Sequence, residues 1–147
     1  MKAVLQRVTR SSVTVEGRKV AQIGKGLNIL LGVMKEDTEE DAKKLVSKIV
    51  NLRIFADENA KMNLSLKDID AEVLVISQFT LAAKIKKGRR PSFDAAMEPK
   101  EAKRLYEYFC EQMEKECRVK RGVFAAMMEV EIVNDGPVTV IADSKEI

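Results

Sequence analysis

Apolar and polar positions alternate through the first third of the chain, the two-residue period of half-buried strands. Residues 2–9 read as a short strand, and residues 12–16 alternate around Val13 and Val15. Gly17 marks a turn, after which residues 19–23 return as the second arm of a hairpin. Beyond Gly24-Lys25-Gly26 the run Leu27-Asn28-Ile29-Leu30-Leu31-Gly32-Val33 is nearly all apolar, as in a strand covered on both faces. The two glycines beside Lys25 are only superficially like a phosphate loop, since no Gly-Lys-Ser/Thr follows and no helix opens there; they read as a turn.

The period then changes. Thr38-Glu39-Glu40-Asp41 has capping-box spacing, and Ala42, Leu45, Val46 and Ile49 recur as one face of a helix ending near Asn51. Residues 52–56 read as the beginning of a strand, followed by a polar turn at Asp57-Glu58-Asn59-Ala60. Residues 71–80 form the clearest central strand, apolar at its start and ending in hydroxyls and an amide. A loop over residues 84–90 closes at Pro91, and a second helix starts near Pro99, with Ala102, Leu105, Tyr106, Phe109, Cys110 and Met113 as its inward stripe. Met128, Val130 and Ile132 alternate in a further strand, residues 138–142 make the last one, and Asn134-Asp135-Gly136-Pro137 reads as the turn between them. The expectation is a single α/β domain over residues 1–147: a mixed, mainly antiparallel sheet, open or barrel-like, with two main helices packed on it.

Composition narrows the chemistry. A chain of 147 residues with 46% hydrophobic and 33% charged residues can bury a real core and is not a disordered chain. It contains no histidine, which removes Ser-His-Asp and Cys-His nucleophilic machinery. With only two cysteines besides, a Cys/His zinc site within one chain is excluded. Cys110 and Cys117, seven apart in one expected helix, would have Cα atoms roughly 10 Å apart, too far for a disulfide. Unpaired thiols and the lack of a signal-peptide core near the start suit the cytoplasm, and the most apolar stretch is too short to span a membrane. The cysteines and tyrosines fall on or beside the inward stripe and read as packing. The net charge of +3 is too mild to name a partner, so its distribution must decide.

Three stretches could carry chemistry. Ser77-Gln78-Phe79-Thr80-Leu81 appends polar groups to a buried strand, where the sheet holds them rigidly and its edge admits a ligand; they could equally satisfy local backbone groups. Asn134-Asp135-Gly136-Pro137-Val138-Thr139 contains an X-Pro bond, the one common place for a cis peptide, which would turn successive carbonyls in one direction toward an ammonium group. The loop Lys84-Ile85-Lys86-Lys87-Gly88-Arg89-Arg90 carries five cations directly after the polar strand, and phosphate neutralisation is its economical functional use.

Taken together, the Ser77–Leu81 motif, Lys87-Gly88-Arg89-Arg90-Pro91-Ser92-Phe93 and Asn134-Asp135-Gly136-Pro137-Val138-Thr139 resemble the bacterial D-aminoacyl-tRNA deacylase family. Val4-Leu5-Gln6-Arg7-Val8, Arg53-Ile54-Phe55 and Lys61-Met62-Asn63-Leu64 add to the likeness, which covers essentially the whole chain. The resemblance implies that family's fold and a cytoplasmic homodimeric hydrolase without cofactor or metal. Its substrate would be the ester joining a D-amino acid, or achiral glycine on tRNA(Ala), to the terminal adenosine of tRNA. Ser77, Gln78, Phe79 and Thr80 would form the site in one subunit, and a Gly136-cis-Pro137 motif inserted from the other would reject L-aminoacyl groups. Lys84, Lys86, Lys87, Arg89 and Arg90 would face the tRNA. Many relatives carry Asp where this chain has Met127.

Apolar pocket contacts discriminate by only about 1–3 kcal/mol, so a rigid backbone wall suits chiral rejection better than a soft pocket. Carbonyls of Gly136 and Pro137 holding the α-ammonium group would leave room for hydrogen but not for a side chain. Thr80 is the tempting nucleophile, yet no histidine exists to activate it. Attack by water, assisted by the 2′-OH of the substrate's terminal ribose, is the preferred route, with backbone N–H groups near Phe79 and Thr80 stabilising the oxyanion. The alternatives are a non-catalytic RNA-binding module that uses the same basic loop, and an esterase of small metabolites, which leaves that loop idle.

Overall fold

A computed structural model describes residues 1–147. Strand β1 (Lys2–Val15) organises the sheet. Along one edge its first half pairs antiparallel with β3 (Gly26–Gly32) and its second half with β2 (Arg18–Ile23). Along the other edge it pairs antiparallel with β8 (Glu129–Asp143) over nearly its whole length. Beyond β3 the sheet is parallel: β6 (Glu72–Ser77) lies beside β3, and β7 (Arg118–Arg121) beside β6. The sheet curls until β2 packs across β6 and β7. A separate two-stranded ribbon joins β4 (Phe55–Ala56) to β5 (Met62–Leu64).

Parallel neighbours need long crossovers, and the two helices supply them. Helix α1 (Glu39–Asn51) lies in the connection from β3 to β6, and α2 (Pro99–Glu114) in that from β6 to β7. Both expected helices form. Asp41 accepts from the Thr38 backbone N–H at 2.9 Å at the start of α1, and Pro99 opens α2 behind the Glu98 carboxylate, which accepts from Glu101 N–H at 2.6 Å. All six residues of the expected α2 stripe are buried. They meet Leu45 and Ile49 of α1 and Leu27, Ile29, Leu31, Val73 and Val75 of the sheet in the main core. Inside the curl a smaller core gathers Val8, Val13, Ala21, Ile23, Leu74 and Ile76.

Several boundaries differ from expectation. The segments at 2–9 and 12–16 are one strand, because β8 and the in-line β3 and β2 pair with it past its polar middle at register shifts. Strand β7 is not legible in the sequence, because Arg118-Val119-Lys120-Arg121 sets a single apolar residue among three cations; its pairing with β6 depends on α2. Helix α2 stops at Glu114, so Cys117 lies beyond it rather than on its last turn.

Candidate active site

Strand β6 delivers the first motif. Its Val73, Leu74, Val75 and Ile76 are buried, and Ser77 pairs with Leu31 at its end. The strand stops there instead of running to residue 80. Gln78 N–H still donates to Leu31 O at 2.7 Å, but β3 has ended, and Phe79–Ala82 coil into a 3₁₀ turn. Gly32 makes room for that turn: a Cβ on it would stand 2.9 Å from the Leu81 Cβ and 3.0 Å from the Gln78 carbonyl oxygen. Ser77 and Gln78 are therefore half-buried, while Phe79 and Thr80 face solvent. The Gln78 amide donates to Thr80 Oγ1 at 2.5 Å. The Phe79 ring, 57% exposed, packs edge-on against Phe93 with centroids 5.2 Å apart.

Phe93 comes from the far side of the basic loop. Lys84 and Ser92 exchange backbone hydrogen bonds of 2.8 and 2.9 Å, closing the loop like a purse beside the turn, with Gly88 at φ +68° near its tip. Lys84, Lys86, Lys87, Arg89 and Arg90 are all exposed, and none is in an ion pair.

The second motif is not a turn between two strands. Residues 134–137 lie within β8, which continues to pair with β1 on both sides of them. Val8 pairs with Asn134 and Gln6 with Thr139, so Arg7 alone faces residues 135–138, and the surplus chain bulges outward. Arg7 clamps the bulge. Its Nε donates to the Asp135 carbonyl at 3.1 Å and lies 3.3 Å from the Asp135 carboxylate, while Nη1 donates to the Ile54 carbonyl at 2.8 Å. The Gly136–Pro137 peptide is cis, and Gly136 has φ +125°. A Cβ there would lie 3.0 Å from Val138 N and 3.1 Å from Arg7 Nη2, yet Gly136 and Pro137 themselves are exposed. Arg7 was not among the residues expected at the site. Its signals were a cation in a strand and its place in the Val4–Val8 segment of the family likeness, and neither names its partners, which stand 47 and 128 residues away in sequence.

One chain does not bring the two motifs together. On β3, Gly26 lies opposite Val8, whose other neighbour is Asn134, whereas Leu31 lies opposite Ser77. Five residues of strand separate those positions by about 17 Å, with further strand spacings across the sheet. The thiols stand apart from both motifs. Burial pushes Cys110 up to about 12 and Cys117 up to about 11, so neither is a ready nucleophile. Tyr106 donates to the Val75 carbonyl at 2.8 Å. No three cysteine or carboxylate side chains converge in a metal-holding group.

Residues 4–143 match the family described as D-Tyr-tRNA(Tyr) deacylase. The chain belongs to that family. A D-aminoacyl-tRNA deacylase of Persephonella marina is 66% identical over 145 residues, covering 99% of each chain. That of Aquifex aeolicus is 58% identical over 148 residues, covering all of both. Among solved structures, the c-Myc DNA Unwinding Element Binding Protein superposes with a TM-score of 0.92 at 46% identity, covering 97% of this chain and 98% of its own. A probable eukaryotic D-amino acid tRNA deacylase superposes with a TM-score of 0.84 at 18% identity, which shows a shared fold. The deacylase fold is thus the α/β architecture expected from the sequence. No helix in it is long and apolar enough to cross a membrane.

Proposed function

We propose that this member of the deacylase family hydrolyses the ester of D-aminoacyl-tRNA, and of glycine mischarged on tRNA(Ala), in the cytoplasm, releasing amino acid and free tRNA. The observation that carries the reading is the braced bulge at Gly136-Pro137. It is a backbone wall, closed to a Cβ by Val138 and clamped by Arg7, and it faces outward at the opposite end of β3 from Ser77–Thr80. A two-fold homodimer lets the wall of one subunit complete the site of the other. Carbonyls of Gly136 and Pro137 then hold the α-ammonium group and leave space for hydrogen alone on the side facing the wall. A D-side chain points outward, an L-side chain collides, and glycine passes.

Hydrolysis follows from what surrounds Thr80. Its hydroxyl meets the Gln78 amide, which is no base in either orientation, so nothing near it removes the proton that a nucleophilic hydroxyl must lose. Water attacks the carbonyl carbon instead, with the substrate's 2′-OH assisting. The Phe79 and Thr80 N–H groups open the 3₁₀ turn, where no preceding carbonyl closes on them, and can receive the developing oxyanion. The five exposed cations of the loop meet tRNA phosphates.

The test is release of amino acid from matched D- and L-tyrosyl-tRNA by purified protein in EDTA. Loss of the D-ester with the L-ester intact is expected. Equal cleavage of both would leave an esterase without chiral rejection. The loop also fits a non-catalytic RNA-binding module, and folded protein that binds tRNA but cleaves neither ester would establish that reading instead.

A further inference from the structure

Helix α1 buries Ala42, Leu45, Val46, Ile49 and Val50 and turns its lysines outward. Its outer face walls an open cleft of about 790 Å³ that Ser77 does not line. Of the cations lining it, Lys43 is paired with Glu40 at 3.6 Å. Lys44, Lys48 and Arg53 are exposed and have no carboxylate within 4 Å; the field of Arg53 reaches Asp68, whose carboxyl is held low chiefly by hydrogen bonds from Ser65. On α2, by contrast, Lys103 is paired with Glu107, and Arg104 with Glu101 and Glu39, leaving Lys100 unpaired. The cleft thus holds a second set of unpaired cations besides the 84–90 loop, beside the Lys43–Glu40 pair and over a floor that includes Leu52 and Ile147.

The cleft is also joined to the Gly136 wall. Arg53 precedes Ile54, whose carbonyl holds the same Arg7 guanidinium that clamps Asp135. Past Leu52 and Lys48 it runs into a narrower apolar groove of about 180 Å³ along Val140 and Ile141, the part of β8 that leaves the bulge. Lys44 and Lys48 stand one helical turn apart, about 6 Å along the axis of α1. A row of unneutralised cations on an open surface suits a polyanion with evenly repeated charge.

We propose that this α1 cleft is a second RNA-docking surface, in which Lys44, Lys48 and Arg53 neutralise backbone phosphates upstream of the esterified 3′ end. The inference rests on the deacylase reading, which supplies the RNA.

The experiment compares wild type with the triple variant Lys44→Gln, Lys48→Gln, Arg53→Gln. One readout is filter binding of uncharged tRNA(Tyr) against salt concentration. The other is cleavage of D-tyrosyl-tRNA and of D-tyrosyl-adenosine, which has the ester but no phosphate. Three lost phosphate contacts should flatten the slope of log K against log salt by about 2–3 and weaken binding at least tenfold at moderate salt. KM for D-tyrosyl-tRNA should rise while kcat, the melting temperature and cleavage of D-tyrosyl-adenosine stay put. A binding slope equal to that of wild type overturns the proposal, as does an equal loss on D-tyrosyl-adenosine, which marks a structural role. Wild type that binds tRNA but spares the D-ester would overturn the deacylase reading alone, since the salt slopes still decide whether RNA occupies the cleft.

Discussion

At Gly136 the backbone sits at φ +125°, a region L side chains rarely adopt, with Val138 N and Arg7 Nη2 closing the space a Cβ would take. Gly136→Ala must shift this wall. Its expected signature is cleavage of L-tyrosyl-tRNA rising at least tenfold relative to the D-ester, measured as the ratio of kcat/KM values; an unchanged ratio removes the wall from the mechanism. Thr80 calls for the opposite experiment. If water attacks, Thr80→Ala keeps activity within about tenfold, having lost only a hydrogen-bond partner of Gln78; folded Thr80→Ala that binds tRNA but is dead in single-turnover assays makes the hydroxyl the nucleophile. Within one chain Met127 takes no part in the core, its side chain being 92% exposed. Gly136, Pro137 and Ser77–Thr80 could be picked out as residue types, whereas Arg7 could not: its work is done on carbonyls that only folding brings near.

At the scale of elements, the start of α1 is tied to the chain's last turn through Asp41. This buried carboxylate accepts from Thr38 N–H at 2.9 Å, Ser144 Oγ at 2.7 Å and Lys145 Nζ at 2.8 Å. Burial alone would raise its pKa, but hydrogen bonds from Lys145, Thr38 and Ser144 outweigh it and hold the group far below the usual carboxylate range. Because folding lowers this pKa, the stabilisation is fully present above the unfolded value near 4 and is lost as pH falls below it. Asp41→Asn should cost about 1–3 kcal/mol at neutral pH, and the deficit should shrink between pH 4 and pH 2, as followed by thermal melts. A deficit independent of pH would mean that shape rather than charge matters there. Helices such as α1 were legible because their cues are local: a cap, a leading proline, an apolar stripe. The long strands were not. A polar interruption in β1 or β8 looks like an end unless the partner strand is known, and that partner lies more than a hundred residues away.

For the whole molecule, the distance between Ser77 and Gly136 turns the site into a question of assembly. The expected species in light scattering has twice the 16.5 kDa chain mass. Mixing a Gln78→Ala subunit with a Gly136→Ala subunit should regenerate, in heterodimers, one site carrying both changes and one carrying neither. Selective D-ester cleavage absent from either parent should then return after exchange. A monomer with full, chirally selective activity would require both motifs to act within one chain.

What the sequence determined by itself was everything set by neighbours along the chain: the two helices, the buried central strands, the absence of imidazole chemistry, the basic loop, and the motifs that mark the deacylase family. Tertiary structure alone decided that residues 134–137 form a bulge held by Arg7, that the strand at Ser77 gives way to a turn over Gly32, and that the two motifs lie at opposite ends of β3. Side-chain periodicity records which face of an element is buried. It says nothing about which distant strand lies alongside, and register between β1 and β8 is what places the wall.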